Sequence, residues 1–226
     1  MKYGHVSKGL FIRRTNRFVA DVEMPAGVEQ VHVKNTGRCK ELLIPGVTVY
    51  LSAAENPNRV TKYDLVAVEK GSRLVNIDSF APNIAFGEHL HSGHYLRDVA
   101  VVKPEARFGT SRFDFYVEAE KRRIFIEVKG VTLEENGVVM FPDAPTERGV
   151  KHLDELAHCI RNGYEARAVF VVQMSDVLYF TPYRVMHPAF GDALDRARDA
   201  GVVIEAYDCF VTPDSMAIGR VVEVRL

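Results

Sequence analysis

Two stretches of the chain carry residue types that can do chemistry together. The first is Arg112-Phe113-Asp114-Phe115-Tyr116-Val117; the second is Ile124-Phe125-Ile126-Glu127-Val128-Lys129-Gly130. Side chains alternate along a strand, so Ile124, Ile126 and Val128 point one way and Phe125, Glu127 and Lys129 the other. Glu127 and Lys129 then stand on one face, roughly 6–7 Å apart at their α-carbons. A hairpin through Glu118 to Arg122 would pair the two strands and bring Asp114 beside Glu127. A carboxylate between two phenylalanines is costly to bury without a partner, and a second carboxylate beside it adds like-charge repulsion. Two partners would relieve the pair. One is a hard divalent cation such as Mg2+ or Mn2+, which prefers oxygen donors; the other is the Lys129 ammonium. Spacing alone leaves equally open a plain strand-end salt bridge between Glu127 and Lys129, with Asp114 at an exposed edge.

Other polar residues are weighed against this pair. A helix beginning at Thr146 places Arg148 and His152 one turn apart on a shared face, with Lys151 on its polar side. They read either as phosphate contacts beside a site or as a solvated helix face. Gln173 ends a long apolar strand; a polar residue there borders a site or caps the strand. His89, His91 and His94 are of a type that binds zinc, but no cysteine stands near them and they read as a surface loop. No glycine-rich phosphate loop and no Gly-x-Ser-x-Gly nucleophile motif is present. Cys39, Cys159 and Cys209 are an odd, widely spaced set, expected as free thiols of a reducing, cytoplasmic compartment.

These side chains need elements to position them. With 226 residues, 47 % hydrophobic and 26 % charged, the chain has the composition of a folded globular protein of one large or two small domains, not of a disordered, collagen-like or coiled-coil chain. No apolar run approaches the roughly 18–20 residues of a membrane helix, no signal peptide is expected, and no membrane partner is expected. The first 80 residues alternate in short runs: Val19–Met24, Val28–Lys34, Val47–Leu51, Tyr63–Glu69 and Leu74–Asp78. Pro25-Ala26-Gly27, Asn35-Thr36-Gly37 and Lys70-Gly71-Ser72 supply turns. Five short strands predict a closed OB-like β-barrel, since closure removes exposed edges. Such a barrel binds oligonucleotides or merely packs on its neighbour.

From Ser79 the pattern changes. Helices are predicted over Ala81–Leu90, Thr146–Arg161 and Pro188–Ala200. Strands are predicted over Val99–Lys103, Arg112–Glu118, Ile124–Gly130, Ala166–Gln173, Val202–Ile204 and Ala217–Leu226. This mixture predicts an α/β mixed-sheet domain, with domains at 1–80 and 81–226. Residues 1–80 hold 12 basic and 8 acidic residues, whereas 81–226 hold 17 and 22. An acidic domain that acts on a polyanion needs a reason for its carboxylates, and bound cations are one.

Asp114 followed by Glu127-Val128-Lys129 resembles the Asp…Glu-x-Lys signature of the PD-(D/E)XK nuclease superfamily. More specifically, the chain resembles the sugar fermentation stimulation protein (SfsA) family. The matching segments are Arg17-Phe18-Val19-Ala20-Asp21-Val22, Asn35-Thr36-Gly37, Gly109 to Phe115, Ile126 to Leu133, and Phe141 to Leu153. The resemblance implies an N-terminal OB-like barrel, a restriction-endonuclease-like α/β domain, DNA as partner and Mg2+ or Mn2+ as cofactor. It implies that Asp114, Glu127 and the Val128 carbonyl hold the metal, and that Lys129 orients or helps deprotonate the attacking water. An acid stands at Glu105 in the family pattern and is expected to point at the metal. Arg148, Lys151, His152 and Gln173 are expected to surround the site. Arg13, Arg14, Arg17, Lys34, Arg38, Lys40 and Arg112 are expected to hold nucleic acid. The function so implied is a DNA-binding, divalent-metal-dependent endo- or exonuclease, for which a homodimer would allow cutting of both strands. The alternatives are a non-cleaving DNA-binding regulator of sugar metabolism and a small phosphoester hydrolase. The acidic set favours catalysis, because a mere binder has no need of carboxylates facing phosphates.

Overall fold

The computed structural model describes residues 1–35, 37–56 and 58–226. Alternation predicts no strand before Val19, yet Val6–Arg14 forms β1, which lies between β2 (Val19–Met24) and β4 (Thr48–Ala53). Its pattern is masked because Leu10-Phe11-Ile12 is an unbroken apolar run and Gly9 interrupts the alternation. Gly9 is buried where the strands approach closely: a Cβ there would lie 2.5 Å from a Val22 methyl and 2.9 Å from the Glu23 carbonyl. Interior strand glycines commonly mark such close approach.

β3 (Gly27–Val33) pairs with β2, and β5 (Tyr63–Lys70) pairs with β4. The barrel closes where β3 meets β5 in parallel, His32 against Asp64 and Val33 against Leu65. Five strands therefore close the barrel, as predicted, but β1 is one of them. The last predicted strand, β6 (Arg73–Asn76), instead rides on β5 as an extension. The Asn35-Thr36-Gly37 turn cannot be followed throughout, since Thr36 lies outside the described residues.

The second domain begins with α1 (Ala81–His91) and continues as a nine-stranded mixed sheet. At its heart β9 (Arg122–Val131), β12 (Glu165–Val172) and β14 (Val203–Thr212) run parallel. β7 (Val99–Phe108) and β8 (Ser111–Ala119) add an antiparallel edge beyond β9. On the other flank β15 (Ser215–Val224) pairs with β14, and the short strands β10 (Leu133–Glu135), β11 (Val138–Phe141) and β13 (Tyr179–Pro182) complete the sheet. Those three short strands lack the length to show a period in the sequence.

α1 covers one sheet face, where Ala85, Phe86 and Leu90 pack with Ile124, Ile126 and Val128. α2 (Glu147–Arg161) and α3 (Pro188–Asp199) cover the other, and their core, which takes in Phe125, Leu153, Phe170 and Phe190, is continuous with the barrel interior. The predicted division of Ile124, Ile126 and Val128 from Phe125 is thus observed. α2 starts where the Thr146 hydroxyl accepts the Gly149 amide at 3.0 Å, an ordinary N-cap. Cys39, Cys159 and Cys209 are free and buried. Among the described residues no helix is long and apolar enough to cross a membrane.

Candidate metal centre

The hairpin joining β8 and β9 sets the site. Its ladder pairs Ala119 with Arg122 and Phe115 with Ile126, and Asp114 and Glu127 are the next residues beyond its last pair. The strict alternation of β8 breaks here, since Phe113 enters the core under α2 and Phe115 the core under α1, and Asp114 lies close enough to Glu127 for the two charges to repel. The Asp114 carboxylate accepts the Val128 amide at 2.7 Å, and its other oxygen accepts Asn83 Nδ2 of α1 at 2.6 Å. Glu127 is only 4 % exposed. Its Oε1 accepts Lys129 Nζ at 2.5 Å and His152 Nδ1 from α2. The Arg148 Nε donates to His152 Nε2 at 3.4 Å. Nε2 is therefore the acceptor, and Nδ1 carries the proton given to Glu127.

Burial pushes the Asp114 carboxyl above the ordinary carboxylate range, and the Glu127 charge adds to the push. Burial also opposes the charge on Glu127, but His152 and then Lys129 outweigh it, so this carboxyl lies below its ordinary range. The two acids are driven apart, an arrangement common where paired carboxylates have distinct roles. Lys129 contacts Glu127 directly, while the Val128 amide, Lys129 and Asn83 together offset only part of the push on Asp114. Glu127 Oε2 is buried and has no hydrogen-bond partner among the described residues. An orphaned carboxylate oxygen beside a second, destabilised carboxylate fits a hard divalent cation held by oxygen donors. No three His, Cys, Asp or Glu side chains among the described residues gather into a protein-only cage. A small cation that keeps several waters suits such a two-carboxylate site.

Glu105 does not join this pair. The β7–β8 ladder pairs Pro104 with Phe115 and Ala106 with Phe113, which leaves Glu105 abreast of Asp114 with φ of +51°. In that left-handed conformation its exposed carboxylate pairs with Arg112 at 3.2 Å, so both residues face solvent. Lys151 lies on the outer side of α2 and pairs with Glu155 at 3.7 Å. Gln173 is fully buried at the end of β12 and contacts the barrel: its Nε2 donates to the Asn76 carbonyl, Asn76 Oδ1 and the Asp78 carbonyl at 3.0–3.1 Å. In return the Asn76 amide donates to the Gln173 carbonyl at 2.9 Å. Its Oε1 lies against Gly130, where a Cβ would approach it to 2.6 Å.

The barrel cations divide into two groups. Arg14 donates to the carbonyls of Arg17, Asn35, Gly37 and Arg38. Arg13 pairs with Asp21 at 2.8 Å and Lys34 with buried Asp78 at 2.7 Å. Arg14 thus holds the barrel's own loops, whereas the Arg13 side chain joins β1 to β2 and stays 72 % exposed. Arg17, Arg38 and Lys40 are exposed and, with Arg13 and Arg14, line an open cleft of about 620 Å3.

Comparison with known proteins fits this architecture. Residues 12–77 match the family model described as the SfsA N-terminal OB domain, and residues 80–215 match the sugar fermentation stimulation protein RE domain. The chain belongs to the sugar fermentation stimulation protein family. A sugar fermentation stimulation protein homolog of Desulfitobacterium hafniense is 56 % identical over 226 residues, covering 100 % of this chain and 99 % of its own. One from Clostridium beijerinckii is 54 % identical and covered completely on both sides. The solved structure of Pyrococcus furiosus SfsA, described as a complex with Ca2+, is 30 % identical with a TM-score of 0.90, over 100 % of this chain and 98 % of that one.

Within this SfsA-family chain, sequence reasoning misses Asn83. It stands on α1, 31 positions before the Asp114 it holds, and only the packing of α1 on the sheet brings them together. Its amide type in an otherwise apolar helix start, Phe80-Ala81-Pro82-Asn83-Ile84, was the available signal.

Proposed function

We propose that this protein is a divalent-metal-dependent nuclease that hydrolyses phosphodiester bonds in DNA. The observation that carries this is the buried, partnerless Glu127 oxygen across the hairpin from a carboxylate that burial destabilises. Asp114 and Glu127 would hold Mg2+ or Mn2+, with the Val128 carbonyl as a further donor. When bound, the cation supplies acidified water and neutralises charge on the phosphate. The chain's own residues do the rest. Asn83 and the Val128 amide aim Asp114, and His152, steadied by Arg148, aims Glu127. Lys129, in contact with Glu127, stands ready to orient water and to meet phosphate charge. Arg17, Arg38 and Lys40 offer DNA contacts away from the chemistry. The arrangement matches the Asp…Glu-x-Lys pattern of PD-(D/E)XK nucleases, and the Ca2+ in the Pyrococcus furiosus relative supports a site for a hard divalent cation.

The test incubates single-stranded, duplex and branched DNA with Mg2+, Mn2+ or EDTA, alongside Asp114→Ala and Lys129→Ala. Cutting that needs the metal and is abolished by both substitutions is expected. DNA retention with no cutting under any metal would favour a non-cleaving binder instead.

A further inference from the structure

The open barrel cleft, with exposed Arg17, Arg38 and Lys40 on its rim, is lined at one end by Gly37. Gly37 also lines a second, smaller cleft of about 150 Å3 between the two domains. That cleft is bounded by Gly130, the residue after Lys129, and by Ser79, the residue before Phe80. Gly37 is therefore shared by the basic cleft and by a cleft whose wall, Gly130, directly follows Lys129 in the chain. This second cleft is smaller than the roughly 300–1,000 Å3 of ordinary small-ligand sites.

Phe80 directly follows Ser79, which lines this cleft, and is 63 % exposed. One exposed apolar residue needs no explanation by itself; its neighbours supply one here. Lys34 Nζ, although paired with buried Asp78, lies 5.5 Å from the Phe80 ring centroid. One helical turn further on, Asn83 holds Asp114, and residues three apart on a helix have β-carbons roughly 5–6 Å apart. The ring thus stands close to the carboxylates. A second exposed ring, Phe18, lies with the Arg17 guanidinium 5.7 Å from its centroid, and its carbonyl accepts the amide of Val33, next to Lys34. Aromatic faces beside cations along a phosphate track suit unpaired bases, which stack on the rings while the backbone meets the charges. In a duplex those base faces are already covered.

Resting on the nuclease site proposed above, we infer that the substrate is an unpaired DNA strand, which runs from the barrel cleft past Gly37 to the metal centre, with Phe80 stacking a base beside the cleaved phosphate. Phe80 determines the preference for unpaired over paired DNA.

The test measures binding apart from cutting. Fluorescence anisotropy in EDTA at physiological salt follows a fluorescein-labelled 20-residue oligothymidylate and a 20-base-pair duplex. Tighter binding of the single strand is expected. Phe80→Ala should weaken it by roughly fivefold to a hundredfold, the range of one lost base stack, with little change for the duplex. Phe80→Trp, which keeps a stacking face, should retain the affinity. Equal or tighter duplex binding, or a Phe80→Ala protein with unchanged single-strand affinity, would overturn the inference. Cleavage of the same oligonucleotides with Mn2+ is scored separately. Cutting without strand preference or Phe80 dependence overturns the track and leaves the nuclease standing. Preference and Phe80 dependence without cutting support the track and count against the nuclease.

Discussion

Replacing Asp114 by Asn should make the metal-free protein more stable while removing its response to metal. Asparagine is nearly the same shape. Its carbonyl can accept the Val128 amide, and its amide can donate to Asn83 once that side chain turns its oxygen inward. What disappears is the charge facing Glu127. Glu127 lies close enough to push Asp114 upward, and two unit charges ~4 Å apart repel by about 4 kcal/mol at an effective dielectric of 20, an upper figure for the pair. Lys129, in contact with Glu127 at 2.5 Å, already offsets part of this, which leaves a gain on the order of 1–2 kcal/mol. In a chain of this length each kcal/mol moves the midpoint by roughly 2–4 °C, so Tm should rise by roughly 2–8 °C. The sign depends on pH. Asp114 titrates higher in the folded state than in the unfolded chain. Its ionisation therefore costs no stability below the ordinary carboxylate range and its full amount above the raised one, and the gain from Asn should grow across that window. Thermal melts of both proteins, with EDTA and with Mn2+ from acid to neutral pH, measure all of this. Wild type should gain about 2.7 kcal/mol at a metal concentration of 100 times Kd, and the variant nothing comparable. A variant that is destabilised at neutral pH, or that keeps the metal-dependent rise, would refute the reasoning.

Three further outcomes follow from the same geometry. Metal affinity measured by calorimetry should increase as pH rises through the raised range of Asp114, because binding must displace its proton; a flat profile from pH 4 to 7 contradicts this. Gln173→Leu strands the acceptors on Asn76 and Asp78 and should cost roughly 2–4 kcal/mol, with urea unfolding splitting into two transitions; a single transition of unchanged midpoint would count against the coupling. Arg14→Ala, which removes donors to four carbonyls, should lower stability by roughly 2–4 kcal/mol, whereas Arg38→Ala should lower DNA affinity and leave the melting temperature within about 1 °C.

The heart of the site is legible in the sequence because it is local. Asp114, Glu127 and Lys129 lie on two strands joined by a tight hairpin, and a period of two puts Glu127 and Lys129 on one face. His152 and Arg148 are legible as a pair for the same reason, being one helical turn apart, although their seat against Glu127 depends on how α2 packs. What escapes is non-local. Asn83 reaches Asp114 only through the docking of α1, and the bonds by which the Gln173 amide joins the domains have no local signature in the sequence. A sequence displays charges without their partners, so the bonds of Arg14 to the loop carbonyls and the ion pairs of Arg13 with Asp21 and of Lys34 with Asp78 appear only in the structure. β1 is hidden by Gly9, whose missing side chain is what allows the barrel wall to form.

The Gln173 clasp has a mechanical meaning. Four hydrogen bonds converge where the barrel ends and the sheet begins, and any rocking of one domain on the other would leave buried acceptors bare. The two halves therefore behave as a fixed anvil and not as jaws. If the proposed DNA strand enters, it must bend, fray or slide to suit the protein, because the domains that carry Asp114 and Glu127 are already clasped together.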